Sequence, residues 1–112
     1  MIKTDIYIGL NDQVTGEQKF VTDRYASLLK KVCMSYRVPF SFHLMEGGYI
    51  YESGEYTQEN TLLLTLIDAD PALVDEIARD LCAFFRQESV LITKQEVETY
   101  SVSFDYELPE EE

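Results

Sequence analysis

Hydrophobic residues along this chain recur at strand spacing, then helix spacing, then strand spacing twice, then helix and strand again. That order of periods admits few folds. Ile2, Thr4, Ile6, Ile8 and Leu10 share one side of a first strand, with Lys3, Asp5, Tyr7 and Gly9 on the other. Residues 11–19 are polar and carry a glycine, the composition of a loop. Val21, Tyr25, Leu28, Leu29, Val32 and Tyr36 then form one helical stripe, which Val38-Pro39 ends by pushing the chain towards extended geometry.

A second strand follows, with Phe40, Phe42 and Leu44 on one face and Ser41, His43 and Met45 on the other. Gly47-Gly48 is expected to break or bulge it, and Ser53-Gly54 to turn the chain back as a hairpin arm. Residues 61–67, TLLLTLI, are apolar on both faces, so this strand belongs in the middle of a sheet. Asp70-Pro71 opens a second helix as N-cap and first helical position, and Val74, Ile77, Ala78, Leu81, Phe84 and Phe85 give its stripe. A short strand at 89–93, a turn at 94–96 and an alternating segment from Val97 to Tyr106 are expected next, the last as a fifth strand or a long bent fourth. The order predicts a ferredoxin-like βαββαβ domain of α+β class over residues 1–106, with two helices on one face of an antiparallel sheet, and an acidic tail at 107–112. At 112 residues, 46% of them hydrophobic, the chain fills one core and not two.

Charge narrows the function classes. Residues 1–37 hold six basic and four acidic side chains, whereas 38–112 hold three basic and seventeen acidic. Such a surface repels nucleic acid and anionic membrane, and a basic protein partner suits it better. No apolar run approaches the length of a membrane span, and the start MIKTDIYIGL lacks the features of a signal peptide, so a cytoplasmic location is expected. Cys33 and Cys82 both sit in helical patterns and in no ligand spacing, which predicts free thiols, no metal and no cofactor.

Three stretches together, YIGL at the end of the first strand, the hairpin GGYIYESGEYTQENTLLLTL and the helix exit FFRQESVLI, resemble an uncharacterised family of short bacterial and phage-borne domains. That family's C-terminal Gln-Glu-Ser-Val segment is matched by Gln87, Glu88, Ser89 and Val90, and its hairpin Gly-Gln-Trp by Gly47-Gly48-Tyr49, which departs from it. The resemblance implies the fold and no activity.

Motif chemistry is sparse. The single histidine, His43, sits mid-strand without a nucleophile elbow, and Cys33 lies on a buried helix stripe where a thiol is inert. Glu46, Glu52, Glu55 and Glu59 match no calcium loop, and Asp105 and Glu107 have nothing to desolvate one against the other. Gln87-Glu88-Ser89 reads as a structural tie between helix and strand. The expected function is therefore a non-enzymatic acidic inhibitor or regulator of a basic nucleic-acid-binding protein, of the kind phages use against host defence, anti-CRISPR proteins among them. Its binding surface would be Glu46, Tyr49, Tyr51, Glu52, Glu55, Tyr56 and Glu59. The alternative is a small-molecule-binding or degradative ferredoxin-like dimer with a pocket between helix and sheet near His43 and Met45, with Glu88 as a further ligand-binding residue.

Overall fold

The computed structural model describes residues 1–104. Its elements are β1 (Ile2–Gly9), α1 (Thr22–Ser35), β2 (Ser41–Ile50), β3 (Tyr56–Ile67), α2 (Pro71–Phe85) and β4 (Leu91–Glu96). The four strands form one antiparallel sheet in the order β2-β3-β1-β4. Both helices cover the same face, giving the ferredoxin-like α+β architecture that the periods imply. None of the helices among the described residues is long and apolar enough to cross a membrane.

The register explains which residues are inside. Ile6 pairs with Leu64 and Ile8 with Leu62, and these four are at most 1% exposed beneath Leu29, Ile77 and Leu81. Because side chains alternate, the odd-numbered residues of β1 and β3 point the other way, to an uncovered face. That face holds Asp5, Tyr7 and Gly9 beside Thr61, Leu63 and Thr65, then His43 and Met45 of β2. As expected, β3 is interior, and Asp70 caps α2 through an Ala72 N–H at 2.9 Å.

Four expectations differ from the structure. Gly47-Gly48 does not interrupt β2: Gly47 pairs with Glu59 and Gly48 with Gln58, so the strand runs on into the arm. The Tyr56 ring lies where a side chain on Gly48 would stand, which supplies the packing that the glycine lacks. Lys94 to Glu96 is strand and not turn, because Thr4, Lys3 and Ile2 of β1 are there to pair with it. Val97 to Phe104 forms no strand despite its alternation: β4 pairs with β1, and β1 starts at the chain's first residues, where the Val97 N–H meets the Met1 carbonyl. Val21 and Phe84 also leave their stripes, at 74% and 56% exposed, because one precedes the helix and the other sits at the rim of the α1–α2 contact. Asp105, Tyr106, Glu107 and the rest of the acidic tail lie outside the described residues.

Helix packing is fastened by Tyr36, whose hydroxyl donates to Asp80 Oδ2 at 2.6 Å. That bond, with burial, pushes the Tyr36 phenol up to about 12. Cys33 is buried and its thiol is pushed up to about 11 by desolvation, which agrees with an inert core residue. Leu64, at the crossing of β1, β2 and β3, is the best probe of this core. In urea denaturation, Leu64→Ala is expected to lose about 2–5 kcal/mol through lost transfer energy and a residual cavity. His43→Ala, on the exposed face, is expected to change stability by no more than about 0.5 kcal/mol.

Candidate functional site

The turn between β2 and β3 is short: the Tyr51 N–H donates to the Glu55 carbonyl, and Gly54 takes a left-handed φ of 91° that suits it. Both strands outrun the helices, so the arm has two accessible faces. Pairing assigns them. Tyr49 opposes Thr57 and Gly47 opposes Glu59 on the uncovered sheet face, while Glu46 opposes Asn60 and Ile50 opposes Tyr56 on the other.

On the uncovered face a compact polar-aromatic cluster results. The Tyr49 and Tyr51 hydroxyls are 3.0 Å apart, and their rings meet edge to face with centroids at 5.0 Å. The hydrogen bond they share holds the Tyr49 phenol above its ordinary range and the Tyr51 phenol below it, with the Thr57 hydroxyl further favouring the Tyr51 phenolate. Glu59 stands next to them, close enough that its charge raises both phenols. Its Oε2 accepts the backbone N–H of Asn11 at 3.1 Å. A Cβ on Gly9 would come within 2.6 Å of that carboxyl group, so glycine leaves it room to lie where it does. With Gly47 on its other side, Glu59 stands over a floor bare of side chains, walled by the two tyrosines.

A second polar network fixes this floor from behind. Asp12, only 5% exposed, accepts the N–H groups of Val14 and Thr15 and meets Arg86 Nε at 2.8 Å. The Val14 bond foremost, then Thr15, Arg86 and Lys19, hold its carboxyl below the usual range against the opposing effect of burial. Gln87 Nε2 donates to the Asn11 carbonyl at 2.6 Å, and Asn60 Nδ2 donates to Gln18 Oε1 at 2.9 Å. Asn11, whose N–H holds Glu59, is therefore clamped between the exit of α2 and β3. Gln87 thus ties the exit of α2 to the loop after β1, and not to the strand that follows the helix. Asp12, Asn11 and Gly9 were not singled out by sequence, although an Asx-turn at Asp12 was open to recognition from the Thr-Gly that follows closely.

The expected binding surface is thus divided. Tyr49, Tyr51 and Glu59 share one face of the arm; Glu46 and Tyr56 lie on the opposite face, where Gln58 donates to Glu46; Glu52 and Glu55 are at the tip. The alternative trio is also separated. His43 and Met45 are on the edge strand β2, and Glu88 precedes β4 at the opposite edge, where it lines a concavity of about 460 Å³ with Cys82, Val90 and Ile92. A cavity of about 380 Å³ lies between Phe20, Arg24, Lys31 and Phe84 on the helical side. Among the described residues no three or more His, Cys, Asp or Glu side chains gather in a way that could hold a metal ion.

Two measurements test this geometry. Following tyrosine ionisation by ultraviolet absorbance, wild type should show one phenol titrating early, and Tyr49→Phe should move that step to higher pH by removing the donor to Tyr51. Asp12 stabilises the fold above its unfolded value near 3.8, and this stability is lost as pH falls through its lowered folded value. Asp12→Asn should therefore unfold in less urea than wild type at pH 7, with the gap closing below about pH 4.

No protein-family model matches the sequence, and no curated protein does. Solved structures do match in shape. A phage SAM lyase in complex with S-methyl-5'-thioadenosine superposes with a TM-score of 0.65 at 22% identity, over 94% of this chain and 91% of that one. CutA1 from Pyrococcus horikoshii gives 0.55 at 14% identity over 90% and 87%. The periplasmic divalent cation tolerance protein CutA from Archaeoglobus fulgidus gives 0.50 at 13% over 88% and 87%. At these identities the likeness establishes a shared ferredoxin-like fold.

Proposed function

We propose that the uncovered face of the arm binds the sulfonium nucleoside S-adenosylmethionine and cleaves it to release S-methyl-5'-thioadenosine. The observation that carries this reading is the cluster of Tyr49, Tyr51 and Glu59 over a glycine floor. A sulfonium is a soft, poorly hydrated cation, and aromatic faces beside a carboxylate attract such a charge. Gly47 leaves the sheet bare beside Glu59, so a flat ring can approach the backbone closely there. The lyase whose overall shape this chain shares is the reason for naming this cation among others.

The chemistry asks little of the protein. When the bond between sulfur and the four-carbon amino-acid chain breaks, its electron pair goes to sulfur, which leaves as a neutral thioether. As it leaves, an oxygen of the fragment's own carboxylate bonds to the carbon that held the sulfur and closes a five-membered lactone, so the sulfonium and carboxylate charges cancel and no water or external nucleophile enters. Glu59 and the tyrosines orient the cation and hold water away from it, which is an electrostatic and positional contribution.

A second reading rests on the acidic tip and far face of the arm. Glu46, Glu52, Glu55 and the exposed Tyr56 form a surface suited to a basic nucleic-acid-binding protein, in the manner of an inhibitor. The two readings use different faces and separate cleanly. Calorimetry with S-adenosylmethionine should give saturable binding that Glu59→Gln weakens at least tenfold, and chromatography should detect S-methyl-5'-thioadenosine accumulating with wild type only. S-adenosylhomocysteine, which lacks the sulfonium charge, should bind more weakly; equal affinity would remove the basis of the reading. Salt-sensitive capture of a basic protein that Glu52→Lys with Glu55→Lys abolishes, without nucleoside binding, would select the second.

A further inference from the structure

The cavity on the helical side, about 380 Å³ between Phe20 and Phe84, joins apolar walls to positive charge. Arg24, Leu28 and Lys31 follow one another at i, i+4 and i+7, so α1 turns all three towards it. Tyr25 is buried and Leu28 half-buried beneath it, while Phe20 and Phe84 are exposed at its sides. Asp and Glu outnumber Lys and Arg by 21 to 9 in this chain, yet among the described residues neither Arg24 nor Lys31 forms an ion pair. The Arg24 guanidinium instead lies 4.1 Å from the centroid of the Phe20 ring. Such a stack holds the flat group by its face, and its N–H groups, which lie in its plane, remain available to an anion. Phe20 is itself fixed: its N–H donates to the Tyr25 hydroxyl at 3.4 Å, and its carbonyl accepts from Gln18 Nε2 at 2.8 Å. The cation is thus set in place before any ligand arrives.

We propose that this cavity binds a small aromatic acid, one ring carrying a phosphate or carboxylate group, at a site separate from the arm. The ring enters between Phe20 and Phe84 over Leu28, and the oxyanion meets the in-plane N–H groups of Arg24, with Lys31 adding a second charge and Ser27 a hydroxyl between them. Size limits the occupant. An apolar cavity of roughly 150 Å³ already holds benzene, so about 380 Å³ takes one ring with its acidic group and little more. Charge limits it again. A polyanion would run past the cavity onto a surface of net charge −12 and be repelled, whereas a small anion stays among the cations. A sulfonium or a basic protein, which suits the arm, is repelled here by Arg24 and Lys31.

Titration of the full-length, nitrogen-15-labelled chain with phenyl phosphate and with phenylacetate, followed by amide correlation spectra, tests this. Both should give saturable shifts at residues 19–31 and 83–85 and leave the arm unmoved, and the tighter of the two identifies the oxyanion. Benzyl alcohol, which lacks the charge, and inorganic phosphate, which lacks the ring, should each bind at least tenfold more weakly. Arg24→Gln with Lys31→Gln should weaken both aromatic anions at least tenfold, and Phe84→Ala should weaken them without changing the response to inorganic phosphate. All three positions are exposed, so circular dichroism should show these variants folded. Absence of saturation at millimolar probe, equal affinity for benzyl alcohol, or binding that survives the double substitution each overturns the proposal. So do cavity resonances that move with protein concentration alone, which would make this face a contact between copies.

Discussion

Everything in this molecule depends on the register between β1 and β3. Ile6 opposite Leu64 and Ile8 opposite Leu62 put four branched side chains under both helices, each contributing about 1.5–3 kcal/mol by leaving water. A slip by one residue would turn them outwards and drive Asp5, Tyr7 and Thr65 into the core. The same register decides the other face. Glu59 is three residues before Leu62 and therefore points away from the helices, and Gly9 is one residue beyond Ile8 and points with it. Core and candidate site are two readings of one alignment.

The loop between β1 and α1 extends that alignment beyond the strands. Asp12 folds the loop back on itself through two backbone N–H groups, Arg86 pins it to the end of α2, and Gln87 holds the Asn11 carbonyl. Asn11 then presents its own N–H to Glu59. The carboxylate that a ligand would meet is thus positioned by backbone that three elements hold in common, which keeps it in place at small entropic cost.

Much of the fold was legible because periods of 2 and 3.6 are properties of neighbouring residues. The helix stripes, the Asp70-Pro71 start and the doubly apolar β3 needed no long-range information. Legibility failed where the deciding partner was distant in sequence. Gly47-Gly48 looked like a break because the covering Tyr56 ring comes from the next strand, and Lys94 looked like a turn because its partner Thr4 is at the far end of the chain. Residues 97–104 show the converse: their pattern is that of a strand, and they form none. For the site, Tyr49, Tyr51 and Glu59 were visible as aromatic and acidic residues on a hairpin, but their separation from Glu46 and Tyr56 required the pairing. Gly9 carried no signal, since a missing side chain marks a floor only once something stands over it.

That floor bears on how the site can change over generations. A side chain at position 9 meets the Glu59 carboxyl group, so it is admitted only where that carboxylate swings aside and gives up its place on the Asn11 N–H. Tyr49 and Tyr51, by contrast, are about half exposed and pack mainly on each other. Variation in what the arm accepts is therefore channelled to the tyrosine wall, where single substitutions reshape the rim and leave the carboxylate and its support untouched.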